Sequence, residues 1–196
     1  MSEGERTFWK GYADKTRELP PRSLLVRALP FVHARGQALD LGAGGFRDTR
    51  YLLDQGFAHV TALDKEPNAE EIAKSLPADR FTYAIASFED FDFPTGAFDL
   101  VSAQDSLPYI QPEAFDATFA GIIKALKQGG IFTGNFFGVR DEWVGMEGMS
   151  FQTEAQARAL LAPLMLHEFS EEEKDALTTL GNPKHWHRFN FIAEKV

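Results

Sequence analysis

The chain has 196 residues and no cysteine, so disulfides, thiolate metal sites and cysteine nucleophiles are excluded. Its length suits one domain with a sizeable core, and an apolar fraction of 44% with 18 phenylalanines suits a globular protein. A net charge of −9, with lysines and arginines scattered among acids, argues against nucleic acid as a partner.

The N-terminal "MSEGERTFWKGYADKT" is charged and has no apolar signal region, and no run approaches the roughly 18 apolar residues of a membrane span. A cytosolic location without membrane attachment is the expectation. After this arm, "PPRSLLVRALPFV" reads as a short helix ended by Pro30, with Leu24, Leu25, Ala28 and Leu29 on one face. An alternation of strands and helices then begins. "QALDL" has strand length, and Phe46 to Gln55 has helical spacing. "AHVTALD" is the second strand, and "PNAEEIAKSL" is a helix opened by Pro67. "RFTYAIAS" and "AFDLVSAQ" are the third and fourth strands.

From Pro112 to Lys127 the residues Phe115, Phe119, Ile122, Ile123 and Leu126 mark one helical face, and Gly129-Gly130 stop it. "GIFTGNFF" is the fifth strand. Thr153 and Gln156 have capping-box spacing at the start of a helix that Pro163 ends. Two strand-like runs, "LMLHEFSE" and "HWHRFNFIAEKV", close the chain, joined by a loop of about a dozen residues without helical pattern, which allows an antiparallel hairpin and disfavours a parallel crossover. The expected fold is α/β: a doubly wound, mostly parallel seven-stranded sheet with an antiparallel C-terminal hairpin. It forms a single domain, with an arm over 1–35, a binding core over 36–137 and a substrate-side segment over 138–196. Ligands in such sheets bind at the carboxyl ends of the strands.

The stretch "ALDLGAGGFRDTRYLL" places a glycine turn, Gly42-Ala43-Gly44, between the first strand and its helix. A G-x-G turn alone is weak evidence, because any tight strand-to-helix turn favours glycine, and Arg47 stands where a dinucleotide fingerprint has its last glycine. Asp64 ends the second strand some twenty residues later, where a carboxylate can accept both hydroxyls of a ribose. Asp40, two residues before the first glycine, discriminates among nucleotides. A pyrophosphate would meet its charge at a cost of roughly a few kcal/mol, whereas a ligand with an ammonium and no phosphate would gain. S-adenosylmethionine is such a ligand.

"ALDLGAGG" followed by "VTALD", and then "FDLVSAQ" and "LKQGGIF", resembles the cofactor motifs of class I S-adenosylmethionine-dependent methyltransferases over about residues 36 to 137. "FWKGYADKT" and "GNPKHWHRFNFIAEKV" are similar to small bacterial members near the tellurite-resistance methyltransferases. The resemblance implies a Rossmann-like methyltransferase fold, S-adenosyl-L-methionine as cofactor, and a small-molecule methyl acceptor. It places Gly42 and Gly44 at the aminoacyl end, Asp64 at the ribose and Lys65 beside the adenine. Ser87 and Phe88 would lie at the adenine edge and ring, and Gln104 at the cofactor or the substrate. One departure is Phe46, where the family commonly has glycine. No Asn/Asp-Pro-Pro-Tyr tetrapeptide follows the fourth strand, so amino-methylation of bases or glutamine is not indicated.

An antiparallel last strand begins at the edge where the parallel strands end, which brings "KHWHR" to the site. His187, with His185 second, is the expected acceptor-facing base or orienting group, and alternation puts both on one face. Arg140, Trp143 and Asp105 are further candidates for the acceptor side. Trp9 and Tyr12 form a lid over the cofactor or staple the arm to the core. Two other functions fit less of the pattern: a non-catalytic S-adenosylmethionine-binding protein, and a nicotinamide-dependent oxidoreductase.

Overall fold

The computed structural model describes residues 11–65 and 67–196. Its sheet runs in the order β3-β2-β1-β4-β5-β8-β7. The strands are β1 (Gln37–Leu41), β2 (His59–Asp64), β3 (Phe81–Ile85), β4 (Phe98–Ala103), β5 (Leu126–Gly138), β7 (Met165–Leu177) and β8 (Pro183–Glu194). β1 to β5 are mutually parallel, while β8 lies antiparallel to both β5 and β7. The expected mixed sheet with its antiparallel C-terminal pair is present. An eighth strand, the two-residue β6 (Phe151–Gln152), pairs with the end of β5.

β1 and β4 are central and buried along nearly their whole length because helices cover both faces. α1 (Ser23–Ala28), α2 (Arg47–Asp54) and the single turn α3 (Glu70–Ala73) border one buried cluster, in which Leu25, Phe46, Leu52 and Phe57 meet Val60 and Leu100. α4 (Phe115–Ala125) and α5 (Glu154–Leu161) border the other, built on Phe119, Ile122, Phe132, Phe136 and Phe191. The capping box of α5 forms as its sequence requires. Gln156 N–H donates to Thr153 Oγ1, and the Thr153 N–H donates to the Gln156 side chain at 2.8 Å.

Three boundaries differ from the sequence reading. α4 stops at Ala125, and the chain enters β5 at once, with Gly129 and Gly130 inside the strand. Pairing with β4 jumps from Phe98↔Leu126 to Leu100↔Ile131, and the glycine pair takes up the extra residues while bonding Lys195. The helix expected over "PNAEEIAKSL" shrinks to a 3-10 turn (Pro67–Ala69) and α3. The loop of a dozen residues between the last two strands shrinks to 178–182, because β7 and β8 continue through polar sequence on a ladder of opposed charges, Glu172↔Arg188, Glu173↔His187 and Asp175↔His185. Trp9 lies outside the described residues.

Candidate functional site

Five residues, 42–46, carry the chain from β1 into α2. Gly42 and Gly44 adopt φ of 73° and 50°, a region open to glycine at little cost. The N–H groups of Gly42 and Ala43 donate to the Leu63 carbonyl at 2.8 and 3.3 Å, which ties the loop to the end of β2. The Gly44 N–H donates to Asp64 Oδ2 at 2.9 Å, so loop and carboxylate are held as one unit. A Cβ on Gly42 would stand 2.5 Å from the Cβ of Ser106. Phe46 takes the left-handed backbone (φ 62°) that glycine would supply at its position. Its ring is buried edge-on against Phe81 and Tyr83, away from the loop's open side, so the departure from the family glycine leaves the approach to the loop clear.

That open side is the floor of a cavity of about 520 Å³, within the range of small-molecule sites. Gly42, Gly44, Asp64 and Lys65 line one end. Ser87 and Phe88 line the wall after β3, and Gln104 the wall after β4. The Ser87 hydroxyl donates to Asp90 Oδ2 at 2.8 Å. Phe88 also packs against the core, so its lining and packing roles coexist. Tyr12 faces the cavity while its hydroxyl accepts from Arg22 Nη2 at 3.2 Å, so lid and staple are compatible.

Asp40 and Ala43 do not line the cavity, which corrects the placement of Asp40 on its rim. The Asp40 side chain lies behind the loop and accepts from Thr49 Oγ1 at 2.6 Å. Burial, then the neighbouring Asp48 charge, push its pKa up to about 7, against the pull of Thr49 and Arg22. A carboxyl raised from 3.8 in the unfolded chain to about 7 in the fold binds more protons when folded. Its stabilising contribution is therefore complete below about pH 4 and is lost as pH rises toward 7 and beyond. Asp40→Asn is expected to stabilise the protein by up to a few kcal/mol at pH 8, at roughly 1.4 kcal/mol per unit, and by little at pH 4.5. Melting temperatures at the two pH values measure the difference; an equal gain at both would contradict the assignment.

A charged belt lines the cavity, and the sequence reading named Asp105 and the segment of Arg188 but missed Arg22 and Ser106. Arg22, the residue before α1, donates its backbone N–H and Nη1 to Asp48, each at 2.9 Å. Arg188 Nε lies 3.0 Å from Asp105 Oδ1, and Asn135 both donates to and accepts from Asp105. Asp105 has φ 55°, a left-handed backbone that the Asn135 pair fixes. Burial pushes the Asp105 carboxyl up, but Arg188, Arg22 and Asn135 outweigh it and hold the pKa below the usual range, which makes Asp105 a poor proton acceptor. Two buried donors that line the cavity, Arg22 Nε and Ser106 Oγ, have no hydrogen-bond partner among the described residues. A single arginine in a proline-flanked arm, and a serine outside any motif, gave no signal in the sequence.

A family model described as a methyltransferase domain matches residues 38–130. An uncharacterized methyltransferase of Synechocystis sp. is 34% identical over 123 residues, 62% of this chain and 54% of the relative. The chain thus spans about half the length of the curated relative it matches. TehB from Haemophilus influenzae superposes with a TM-score of 0.76 at 15% identity, covering 94% of this chain and 66% of TehB. The 1,6-didemethyltoxoflavin-N1-methyltransferase of Burkholderia thailandensis, solved with 1,6-didemethyltoxoflavin and S-adenosylhomocysteine, superposes with a TM-score of 0.71 at 22% identity, covering 98% and 83%. The two structural likenesses carry the fold. Over residues 38–130 in sequence, and across the sheet in fold, the chain is similar to methyltransferases.

In this methyltransferase fold the far end of the cavity is built by β5, the loop after it and the β7–β8 hairpin. Phe137, Trp143, Trp186 and Arg188 line it, and the hairpin tip, including Leu177 and Leu180, overhangs it. β8 does begin at the carboxyl edge of the parallel strands, as expected, but it turns Trp186 and Arg188 to the cavity. His185 and His187 therefore point to the other face, which corrects their expected orientation toward the acceptor. His187 is fully buried. Its Nδ1 accepts from the Arg140 N–H at 3.1 Å, and its Nε2 is 2.8 Å from Glu171 Oε1, so both ring nitrogens are committed. The exposed His185 pairs with Asp175 and Glu173, and those hydrogen bonds raise its pKa. Arg140 bonds Glu171 and Glu173 outside the cavity, so of the two loop candidates only Trp143 reaches the site. Glu171, Glu173 and His187 bring metal-ligand atoms within 4.8 Å of one another, but the Arg140 guanidinium already pairs with both carboxylates.

Proposed function

We propose that the protein transfers a methyl group from S-adenosylmethionine to a small-molecule acceptor by in-line displacement. The observation that carries this reading is the Gly44–Asp64 unit. It presents a carboxylate at the end of β2 beside a loop that faces the cavity with Gly42 and Gly44 alone, and it forms the floor of the cavity. The donor set fits the cofactor. Asp64 would accept the ribose hydroxyls, the open backbone of Gly42 and Gly44 would admit the aminoacyl end, and Lys65, Ser87 and Phe88 would border the adenine. Ser106 Oγ, a buried hydroxyl with no hydrogen-bond partner among the described residues, and Arg22 Nε, which faces Asp105 Oδ2 only at 3.7 Å, suit a carboxylate. Gln104 would separate the cofactor from the acceptor.

When bound, S-adenosylmethionine supplies a methyl group already activated on a sulfonium. The residues of the chain then have to orient the acceptor and exclude water, effects that in oriented systems account for roughly 7–11 kcal/mol of a barrier. No histidine lines the cavity among the described residues. This arrangement suits an acceptor whose lone pair is available without loss of a proton to a histidine. The acidic net charge argues against a nucleic-acid acceptor, and no described helix is long and apolar enough to cross a membrane. A cytosolic setting goes with the reading, since a chain without cysteine is compatible with a reducing compartment.

Asp64→Ala is expected to weaken S-adenosylhomocysteine binding by roughly 1.5–3 kcal/mol, because two hydroxyls lose a charged acceptor. Calorimetric titration of wild type and variant measures it. Equal affinities would remove Asp64 from the site and leave the loop as a simple turn.

A further inference from the structure

The acceptor end of the cavity has a rigid aromatic wall with cations packed into it. Phe137 and Trp186 meet edge-to-face at 5.7 Å, and Trp143 closes the group at 5.7 Å from Trp186 and 6.1 Å from Phe137. The Lys184 ammonium, with its side chain 1% exposed, sits 3.7 Å from the Trp186 ring centroid, 4.2 Å from Trp143 and 4.8 Å from Phe137. The Arg188 guanidinium lies 3.8 Å over Trp186. Positions 184, 186 and 188 share one face of β8, so the indole is bracketed by two positive charges. Asp141 fixes the assembly: it accepts from Lys184, from the Trp143 N–H at 3.0 Å and from the His187 N–H at 3.2 Å.

Together, these contacts decide what the wall can hold. The negative ring faces that attract a cation are already used by Lys184 and Arg188, and a third cation would meet like charge across one ring. Ring hydrogens, and ring faces whose electron density the cations draw away, remain for the ligand. They favour a flat partner with an electron-rich π system over a saturated one, which has surface but no quadrupole. The wall is held by a buried ion pair and two backbone hydrogen bonds, so it does not need to be ordered on binding.

We propose that this end of the cavity takes a flat aromatic or heteroaromatic acceptor without positive charge. The proposal rests on the methyltransferase reading of the same site.

Three matched probes separate the features: 2-naphthoate, its saturated decahydro analogue, and 2-naphthylmethylammonium. Each is titrated calorimetrically into the protein with S-adenosylhomocysteine present, and into the protein alone with tryptophan fluorescence as the readout. 2-Naphthoate is expected to bind at least tenfold more tightly than either of the others. Trp143→Leu should weaken 2-naphthoate at least fivefold while S-adenosylhomocysteine affinity stays within twofold. The proposal is overturned if the saturated or the cationic probe binds as tightly, or if Trp143→Leu leaves 2-naphthoate unchanged. Absent S-adenosylhomocysteine binding would instead strike the proposed function, and the fluorescence titration without it would still decide the nature of the wall.

Discussion

Gly44→Val is expected to lower S-adenosylhomocysteine affinity at least a hundredfold in a chain that still folds. Gly44 has φ 50°, where an L residue costs roughly 1–2 kcal/mol and a β-branched one more. Its Cβ would stand 3.4 Å from Tyr12 Cε1, and the valine methyls would have to enter the cavity or displace Tyr12. The same strain loosens the Gly44 N–H from Asp64, so shape and charge are lost together. The fold survives because Gly44 sits on the cavity floor outside the buried clusters. Circular dichroism and a melting temperature within about 2–8 °C of wild type are the control, at roughly 2–4 °C per kcal/mol for a chain of this size. Gly42→Val should fail differently. Its Cβ would overlap Ser106 at 2.5 Å, so the loop itself must move and stability falls with affinity. A folded Gly44→Val variant of unchanged affinity would show that the ligand does not approach this loop.

Asp141→Ala carries the largest expected stability loss, roughly 3–5 kcal/mol, because it strands the Lys184 ammonium among three rings without a counter-charge. Burial already pulls the Lys184 pKa below its usual range, and the bond to Asp141 opposes that pull. The backbone N–H groups of Trp143 and His187 lose their acceptor at the same time. The melting temperature should fall by roughly 6–20 °C. The paired replacement Asp141→Leu with Lys184→Met removes both charges and should recover much of the loss, as apolar replacements of buried ion pairs do. If Asp141→Ala melted within 2 °C of wild type, or if the double variant were less stable than Asp141→Ala, the pair would not be what holds the wall in place.

The end of the cavity proposed for the cofactor was legible in the sequence because its determinants are local. Two glycines between a buried strand and a helix, and an aspartate ending the next strand, meet wherever consecutive strands are parallel neighbours, as β1 and β2 are. The acceptor side depends on long-range register. Alternation shows that His185 and His187 share a face, and that Trp186 and Arg188 share the other. Only pairing with β7 decides which face is the cavity. The histidines were drawn outward by the acids at every second position of β7, Glu171, Glu173 and Asp175, which stand across the ladder from them. That period-two run of acids is the cue that could have settled the question, but low strand propensity disguised it as loop. Asp40 is the reverse case. It was expected on the rim of the cavity as a charge that rejects phosphate, but burial against Thr49 took it behind the loop. Arg22 reaches the cavity from outside the alternating core, through an arm whose path no local periodicity specifies.

Isothermal titration of the wild-type protein with S-adenosylhomocysteine, with NADH run in parallel, tests the central claim most directly. The account predicts saturable one-to-one binding of S-adenosylhomocysteine and at least a hundredfold weaker binding of NADH, whose pyrophosphate would meet the Asp64 carboxylate held against the loop. No heat with S-adenosylhomocysteine, or tighter binding of NADH, would contradict it.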